Sequence, residues 1–192
     1  MDSPSLSVLI PAAGASTRLG QAKQLVNYRG KPLLQHIIDV VSAINPVEII
    51  VVTGANAEMV RESVQHPLLR WIHNSQWTEG LGGSIAIGAQ AVNSQSSGLM
   101  IMLCDQYRIT ATDLQKLVET WRTNQDRIVA AETGGHCMPP LVFPPDMFDA
   151  VKHLAGQRGA HKLLEQHPKR LIAVPIGNAA FDLDEPEQLR NL

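Results

Sequence analysis

Residues 6–25 read LSVLIPAAGASTRLGQAKQL. Leu6–Ile10 is a short run apolar at every position but Ser7, the pattern of a strand buried on both faces of a parallel sheet. After it come small residues, then Arg18, Gly20 and Lys23, with no acidic residue between Asp2 and Asp39. Gly14 and Gly20 let the backbone bend and turn N–H groups towards an anion, while Arg18 and Lys23 supply positive charge. Arginine can clamp a phosphate with two prongs, and lysine acts as a mobile point charge. A strand running into such a loop is built to hold a polyphosphate. The spacing Gly14-x5-Gly20-x2-Lys23 is not that of a Walker A loop, and no GxGxxG dinucleotide fingerprint is present.

The rest of the chain alternates in the same manner. Pro32 opens an amphipathic helix, in which Leu33, Leu34, Ile37, Val40, Val41 and Ile44 recur at helical spacing before Asn45-Pro46. VEIIVVTG (47–54) is a second buried strand, 56–65 a helix, and RWIHN (70–74) a short third strand. GGSIAIGAQAV (82–92) reads as a helix entered through a glycine-rich turn, and GLMIMLCD (98–105) as a strand with a carboxylate at its carboxyl end. Thr110 and Asp113 have capping-box spacing ahead of the next helix. Beyond it lie the shorter runs RIVAAE and PPLVF, helices near 145–155 and 159–166, LIAVP, and the tail FDLDEPEQL. GGHCMPP (134–140) reads as an excursion from the alternation, with His136 and Cys137 as loop residues.

Strands alternating with helices imply a single-domain, doubly wound, Rossmann-like α/β fold with a mostly parallel sheet, spanning 1–192. Ligands are expected at the carboxyl ends of the strands, with a nucleotide-binding part over about 1–110 and an acceptor-side part over about 111–192. A net charge of −2, from 16 basic and 18 acidic residues, argues against nucleic acid as a partner. No apolar run reaches the roughly 18–20 residues that span a bilayer. Two cysteines without CxxC spacing, and no signal-like start, fit a reducing cytoplasm.

Within residues 9–38 the pattern L-x-A-A-G-x-S-x-R-x-G-x-x-K-x-L, followed by G-x-x-L-L, resembles the signature of nucleotidyltransferases that move a nucleoside monophosphate onto a second substrate. The chain is most similar to molybdenum cofactor cytidylyltransferases and their relatives, and Ala12-Ala13-Gly14 leans towards CTP, where the guanylyltransferase for the same cofactor typically has AGG. The likeness is strongest over 6–38, 98–106 and 139–189. It implies the nucleotidyltransferase type of fold, with Ala12, Ala13, Gly14, Ser16, Arg18 and Lys23 on the nucleotide. TEGLGGSIAIGAQ (78–90) resembles the segment that lines the nucleotide pocket, through Gly80, Gly83 and Ser84.

A carboxylate at the end of a buried strand is costly unless paired or bound to a cation. The resemblance assigns Asp105 to Mg2+. It also matches FDLDEPEQL to the family's closing motif, with Asp184, or Asp182 two residues before it, completing the metal shell. Arg18, Lys23 and Asp105 are thus the expected catalytic residues, Mg2+ the cofactor, and CTP and molybdenum cofactor the substrates, with a molybdoenzyme as recipient. Two positions depart from the pattern: Tyr107 replaces a proline, which is expected to loosen the loop after Asp105, and Gln157 replaces an aspartate on the acceptor side. The remaining readings are cytidylyl transfer to methylerythritol phosphate, whose enzymes carry an Asp-x-x-Arg like Asp105 and Arg108, guanylyl transfer, a sugar-phosphate acceptor, and a cofactor carrier without turnover.

Overall fold

The computed structural model describes residues 4–191. β1 (Leu6–Ala12) is buried along its whole length. Val8, Ile10 and Ala12 enter one hydrophobic cluster and Leu9 the other, because successive side chains point to opposite faces. Both faces are covered, which is why the run needs no polar alternation.

After the loop come a two-residue pair, β2 (Asn27–Tyr28) with β3 (Lys31–Pro32), and helix α1 (Leu33–Ser42). β4 (Glu48–Thr53), α2 (Ala57–Glu62), β5 (Leu69–His73), α3 (Leu81–Gln90), β6 (Gly98–Ile101) and α4 (Ala111–Arg122) follow. β7 (Ile128–Thr133), β8 (His136–Phe143), α5 (Phe148–Lys152), α6 (His161–Gln166) and β9 (Leu171–Pro175) complete the chain, with a 3-10 segment at Pro186–Asn191. The seven-stranded sheet runs β5-β4-β1-β6-β8-β7-β9, and β8 alone is antiparallel to its neighbours. β1 pairs in parallel with β4 (Ile10 with Val51) and with β6 (Val8 with Met100).

Ile37, Val41, Val60, Leu114 and Trp121, from α1, α2 and α4, pack on one face; Ile85, Ala89, Val151 and Leu163, from α3, α5 and α6, pack on the other. Each large apolar side chain fully buried in these layers contributes about 1.5–3 kcal/mol. α3 lies close on the sheet because Gly88 faces Leu9: a Cβ there would stand 2.3 Å from Leu9 Cδ1. The capping box of α4 forms as its spacing predicts.

The stretch 134–140 does not leave the sheet. Gly134 and Gly135 both have positive φ and make a two-residue hairpin turn between β7 and β8. His136 and Cys137 are strand residues of β8, opposite Thr133 and Glu132. The pairing jumps from Ala131–Met138 to Ala130–Leu141. Pro139 and Pro140 therefore fall in the bulge, where a residue without an N–H removes no ladder bond.

Candidate active site

The loop leaving β1 carries its left-handed residues at Ser16 (φ 55°) and Gly20 (φ 76°), not at Gly14. Gly14 is small for another reason: a Cβ there would meet nothing within 4 Å, and it lines the cleft beside Ser16, Arg18 and Lys23. Leu19 N–H donates to Ser16 O at 3.0 Å, and Lys23 N–H donates to Ser16 Oγ at 3.2 Å, so the loop closes on itself. Gln24 fixes it from beneath. Its amide is buried and donates to Ala12 O at 2.7 Å and Gly14 O at 3.1 Å. Sequence reading missed Gln24, because nothing in its neighbourhood marks a glutamine whose amide turns inward.

A single 3-10 turn, Lys23–Leu25, aims Lys23 at the carboxyl end of β6. Its Nζ stands 2.7 Å from Asp105 Oδ2 and 2.7 Å from Asp184 Oδ1, with its side chain only 15% exposed. Burial opposes the ammonium charge, but the Asp105 and Asp184 carboxylates overcome it and raise the Lys23 pKa well above the usual lysine range. The hydrogen bond from Lys23 lowers that of Asp184, against burial and with help from the charges of Lys23 and Arg18. Asp182 moves the other way, raised by burial and by the negative charges of Asp105 and Asp184. Arg18 reaches in loosely, with its side chain 71% exposed and its guanidinium nitrogens 3.7 Å from Asp184 Oδ2 and 3.7 Å from Glu185 Oε1. Burial pushes the neighbouring Cys104 thiol up to about 12, so it stays neutral and takes no nucleophilic part.

The tail is fastened to this site from far along the chain. Leu183 N–H donates to Asp105 O at 3.1 Å, and the N–H groups of Asp184 and Glu185 both donate to Gln188 Oε1 at 2.7 Å. Leu183 is buried in a small apolar cluster with Leu19, Val26, Tyr28, Leu33 and Tyr107. Tyr107 thus anchors the loop after Asp105, where a loosened loop was expected in the absence of proline. Gln106 holds the same loop from the other side, donating to Pro139 O at 2.6 Å and Ala179 O at 3.1 Å. Arg108 turns away, its guanidinium 3.9 Å from the Phe181 ring centre, into a separate cavity of about 600 Å³ shared with Tyr28, Arg29 and His36.

Gly14, Ser16, Arg18, Lys23, Asp105 and Asp184 line one cavity of about 300 Å³. An adjoining one of about 430 Å³ shares Gly14, Arg18 and Lys23 and adds Ala13, Gly80, Ser84 and Gln157. Ala12 borders the first cavity, its side chain packed into the core. Gly83 lines neither. Ser84 Oγ accepts from Asn74 Nδ2 at 3.0 Å; buried Asn74, just past β5, is a second residue the motifs do not reveal. Gly80 and Gly82 have a packing role: a Cβ at either would stand 2.6 Å from backbone of Gly156 or Ala155. Gly82 N–H donates to Gly156 O at 2.8 Å, which seats Gln157 at the mouth of the second cavity.

The carboxylates have the chemistry of a hard-cation site. Asp105 Oδ1 is buried without a hydrogen-bond partner among the described residues. No cluster of three or more His, Cys, Asp or Glu that could hold a metal occurs among those residues. A protein that offers two carboxylates and leaves the other positions to phosphate and water suits Mg2+ with a nucleotide better than an all-protein cage.

A mostly parallel sheet whose first loop carries a lysine facing Asp105, just past β6, and Asp184 of the tail has the arrangement of a nucleotide-dependent transferase. The sequence profile of the MobA-like NTP transferase domain matches residues 8–171, and the chain belongs to that family; it is a nucleotidyltransferase enzyme. Over 202 aligned residues it is 28% identical to the nicotine blue oxidoreductase of Paenarthrobacter nicotinovorans, covering 100% of this chain and 98% of that one. It is 36% identical over 116 residues to the bifunctional protein GlmU of Solibacter usitatus, covering 59% of this chain but only 25% of that one. Among solved structures, Rv0371c from Mycobacterium tuberculosis H37Rv superposes with a TM-score of 0.84 at 23% identity, over 99% of this chain and 98% of that one. The manganese complex of Rv0371c gives 0.77 at 22% identity, over 97% and 96%. No helix among the described residues is long and apolar enough to cross a membrane.

Proposed function

We propose that this protein transfers CMP from CTP to the terminal phosphate of molybdenum-bound molybdopterin, releasing pyrophosphate and forming the cytosine dinucleotide cofactor. The observation that carries the reading is the placement of Lys23 against Asp105 and Asp184 at the mouth of the cleft lined by Gly14 and Ser16. That is a cation and two metal-type carboxylates where a triphosphate would lie. The choice of CTP rests on Ala12-Ala13-Gly14. We assign the nucleotide to the part before about residue 110 and the acceptor to the part after it. We place the reaction in the cytoplasm, where Cys104 and Cys137 stay free, with a molybdoenzyme receiving the product.

An oxygen of the acceptor phosphate attacks the α-phosphorus of CTP; a new P–O bond forms, the bond to the oxygen bridging α and β breaks, and pyrophosphate leaves. The attacking group is already an anion, so no strong general base is required. Lys23 moves onto the α-phosphate and stabilises its added charge, and Arg18, exposed and loosely paired, clamps the β- and γ-phosphates. Asp105 and Asp184, with Asp182 near enough to feel both charges, would hold Mg2+, which when bound supplies further charge neutralisation. Ser84 and Gln157 border the space beside these groups, where base and acceptor are presented.

A second reading follows from the relative matched over its full length, whose name is that of an oxidoreductase acting on nicotine blue. One experiment separates the two. Pyrophosphate release is measured with CTP, GTP, ATP and UTP, with Mg2+, and with or without molybdenum cofactor, methylerythritol phosphate or a sugar phosphate; nicotine blue is supplied separately with a hydride donor. Cofactor-dependent release from CTP supports the proposal. Release only with another nucleotide or acceptor keeps the transferase and discards the substrate, and bleaching of the dye without any release favours the redox reading. Cofactor binding without turnover would make the protein a carrier.

A further inference from the structure

Lys23 is committed to the carboxylates themselves. Its Nζ makes two contacts of 2.7 Å, to one oxygen of Asp105 and one of Asp184, and both lysine and Asp105 side chains are about five-sixths buried, at 15% and 16% exposure. Mg2+ needs those oxygens at about 2.0–2.1 Å. The ammonium and the dication cannot share them, since the metal would sit against the ammonium group. With Lys23 in place the three side chains carry a net charge of −1, and without it −2, so the lysine also halves the local negative charge that would attract a free cation. Its long stem can swing. The cleft lined by Gly14 and Ser16 begins at its tip, so triphosphate oxygens placed there offer it a second anion.

We propose that Lys23 holds the place of the divalent cation in the nucleotide-free protein, and that the cation enters only with a triphosphate that draws Lys23 away. The inference rests on the triphosphate reading of the cleft and deepens it, since it fixes the order of binding: no cation alone, then nucleotide and cation together. It also gives Lys23 two states, a tether of the tail in one and a phosphate ligand in the other. A permanent tether would differ, because its removal would loosen the tail without opening a metal site.

The test is a titration of the full chain with Mn2+ alone, no nucleotide present, following free Mn2+ by its paramagnetic resonance. The native protein is expected to bind weakly, Lys23→Met at least tenfold more tightly, and the double variant Lys23→Met/Asp184→Asn to lose that gain. Should Lys23→Met fail to fold, Lys23→Gln replaces it, because its amide still donates to a carboxylate but carries no charge. Native protein that binds Mn2+ as tightly as the variant, or a variant without any gain, overturns the proposal. Its fate is separable from that of the proposed activity. A gain in Mn2+ affinity with no pyrophosphate release from any nucleotide keeps the place-holder and removes the activity; release from CTP without the gain does the reverse.

Discussion

Tyr107 and Tyr28 pack edge to face, their ring centres 5.6 Å apart and their planes at 70°. The pair joins the loop that follows Asp105 to the short strand that follows Lys23, so the two halves of the site share one small apolar cluster. Aromatic pairs in this arrangement add about 0.5–1.5 kcal/mol beyond their buried area.

Tyr107→Ala should therefore cost about 3–5 kcal/mol of unfolding free energy, the range for removing a buried aromatic ring. Urea unfolding measures it. A loss below about 1 kcal/mol would mean that the loop is held by Gln106 and Leu183 alone.

Lys23→Ala should lower turnover by about 10²–10³-fold, the usual cost of removing one preorganised donor to transition-state charge. It also leaves Asp105 and Asp184 facing each other without a cation, so the variant should unfold at lower urea unless a divalent cation is added. Steady-state pyrophosphate release with excess CTP decides the first point; near-normal turnover would remove Lys23 from the mechanism.

Gln24 borders the first cavity but commits its amide N–H groups to Ala12 O and Gly14 O, and so positions the loop. Gln24→Leu removes the donor from Ala12 O and Gly14 O and leaves two carbonyls to find other partners, at about 1–3 kcal/mol. The nucleotide KM should rise by more than kcat falls, because the loop proposed to receive the phosphates loses its shape. A fall confined to kcat would contradict a positioning role.

Asp113 supplies an acid-sensitive element away from the site. Burial pushes its carboxyl up, but hydrogen bonds from Asn178, the Thr110 hydroxyl and the Thr110 N–H outweigh burial and hold it below the usual carboxylate range. A depressed native pKa contributes stability above the unfolded value near ~3.9 and loses it as pH falls through the native value. Asp113→Ala should be less stable than the native chain by about 1–3 kcal/mol at pH 7, and the gap should close below about pH 4. A gap of the same size at pH 3 and pH 7 would show that the carboxylate charge contributes nothing.

The central strands could be read from sequence because burial on both faces leaves short apolar runs without alternation, as in Val8–Ile10 and Ile49–Val52. β8 could not, since Gly134-Gly135 and Pro139-Pro140 are loop residues by composition and become a turn and a bulge only when β6 and β7 flank them. In the site, Arg18, Lys23 and Asp105 stood out in the sequence as charges beside strand ends, and Asp184 through the resemblance of its closing motif; the structure brings the four side chains together, and their roles remain proposals. Gln24, Asn74 and Gln106 did not stand out, because an amide is as common on a surface as in a core, and only tertiary contact shows which way it turns. Tyr107 was legible as a departure, but its consequence came from Tyr28, 79 positions earlier in the sequence.

Neighbouring glycines at the start of α3 separate packing from ligand approach. A Cβ at Gly82 would lie 2.6 Å from the Ala155 carbonyl carbon and oxygen, so Gly82→Ala must push residues 155–157 off the helix, at about 1–3 kcal/mol. At Gly83 a Cβ would meet nothing within 4 Å. Gly83→Ala should be neutral or more stable by about 0.5–1 kcal/mol, since alanine loses less backbone entropy on entering a helix. The sequence resemblance placed Gly83 on the nucleotide, and it lines neither cavity, so CTP affinity decides its role. An unchanged KM for CTP in Gly83→Ala makes it a helix residue only; a rise of tenfold or more means that the nucleotide comes within contact of that Cα and that the pocket extends past Ser84 along α3. Gly82→Ala should raise KM along with its loss of stability, because Gln157 moves with the displaced segment.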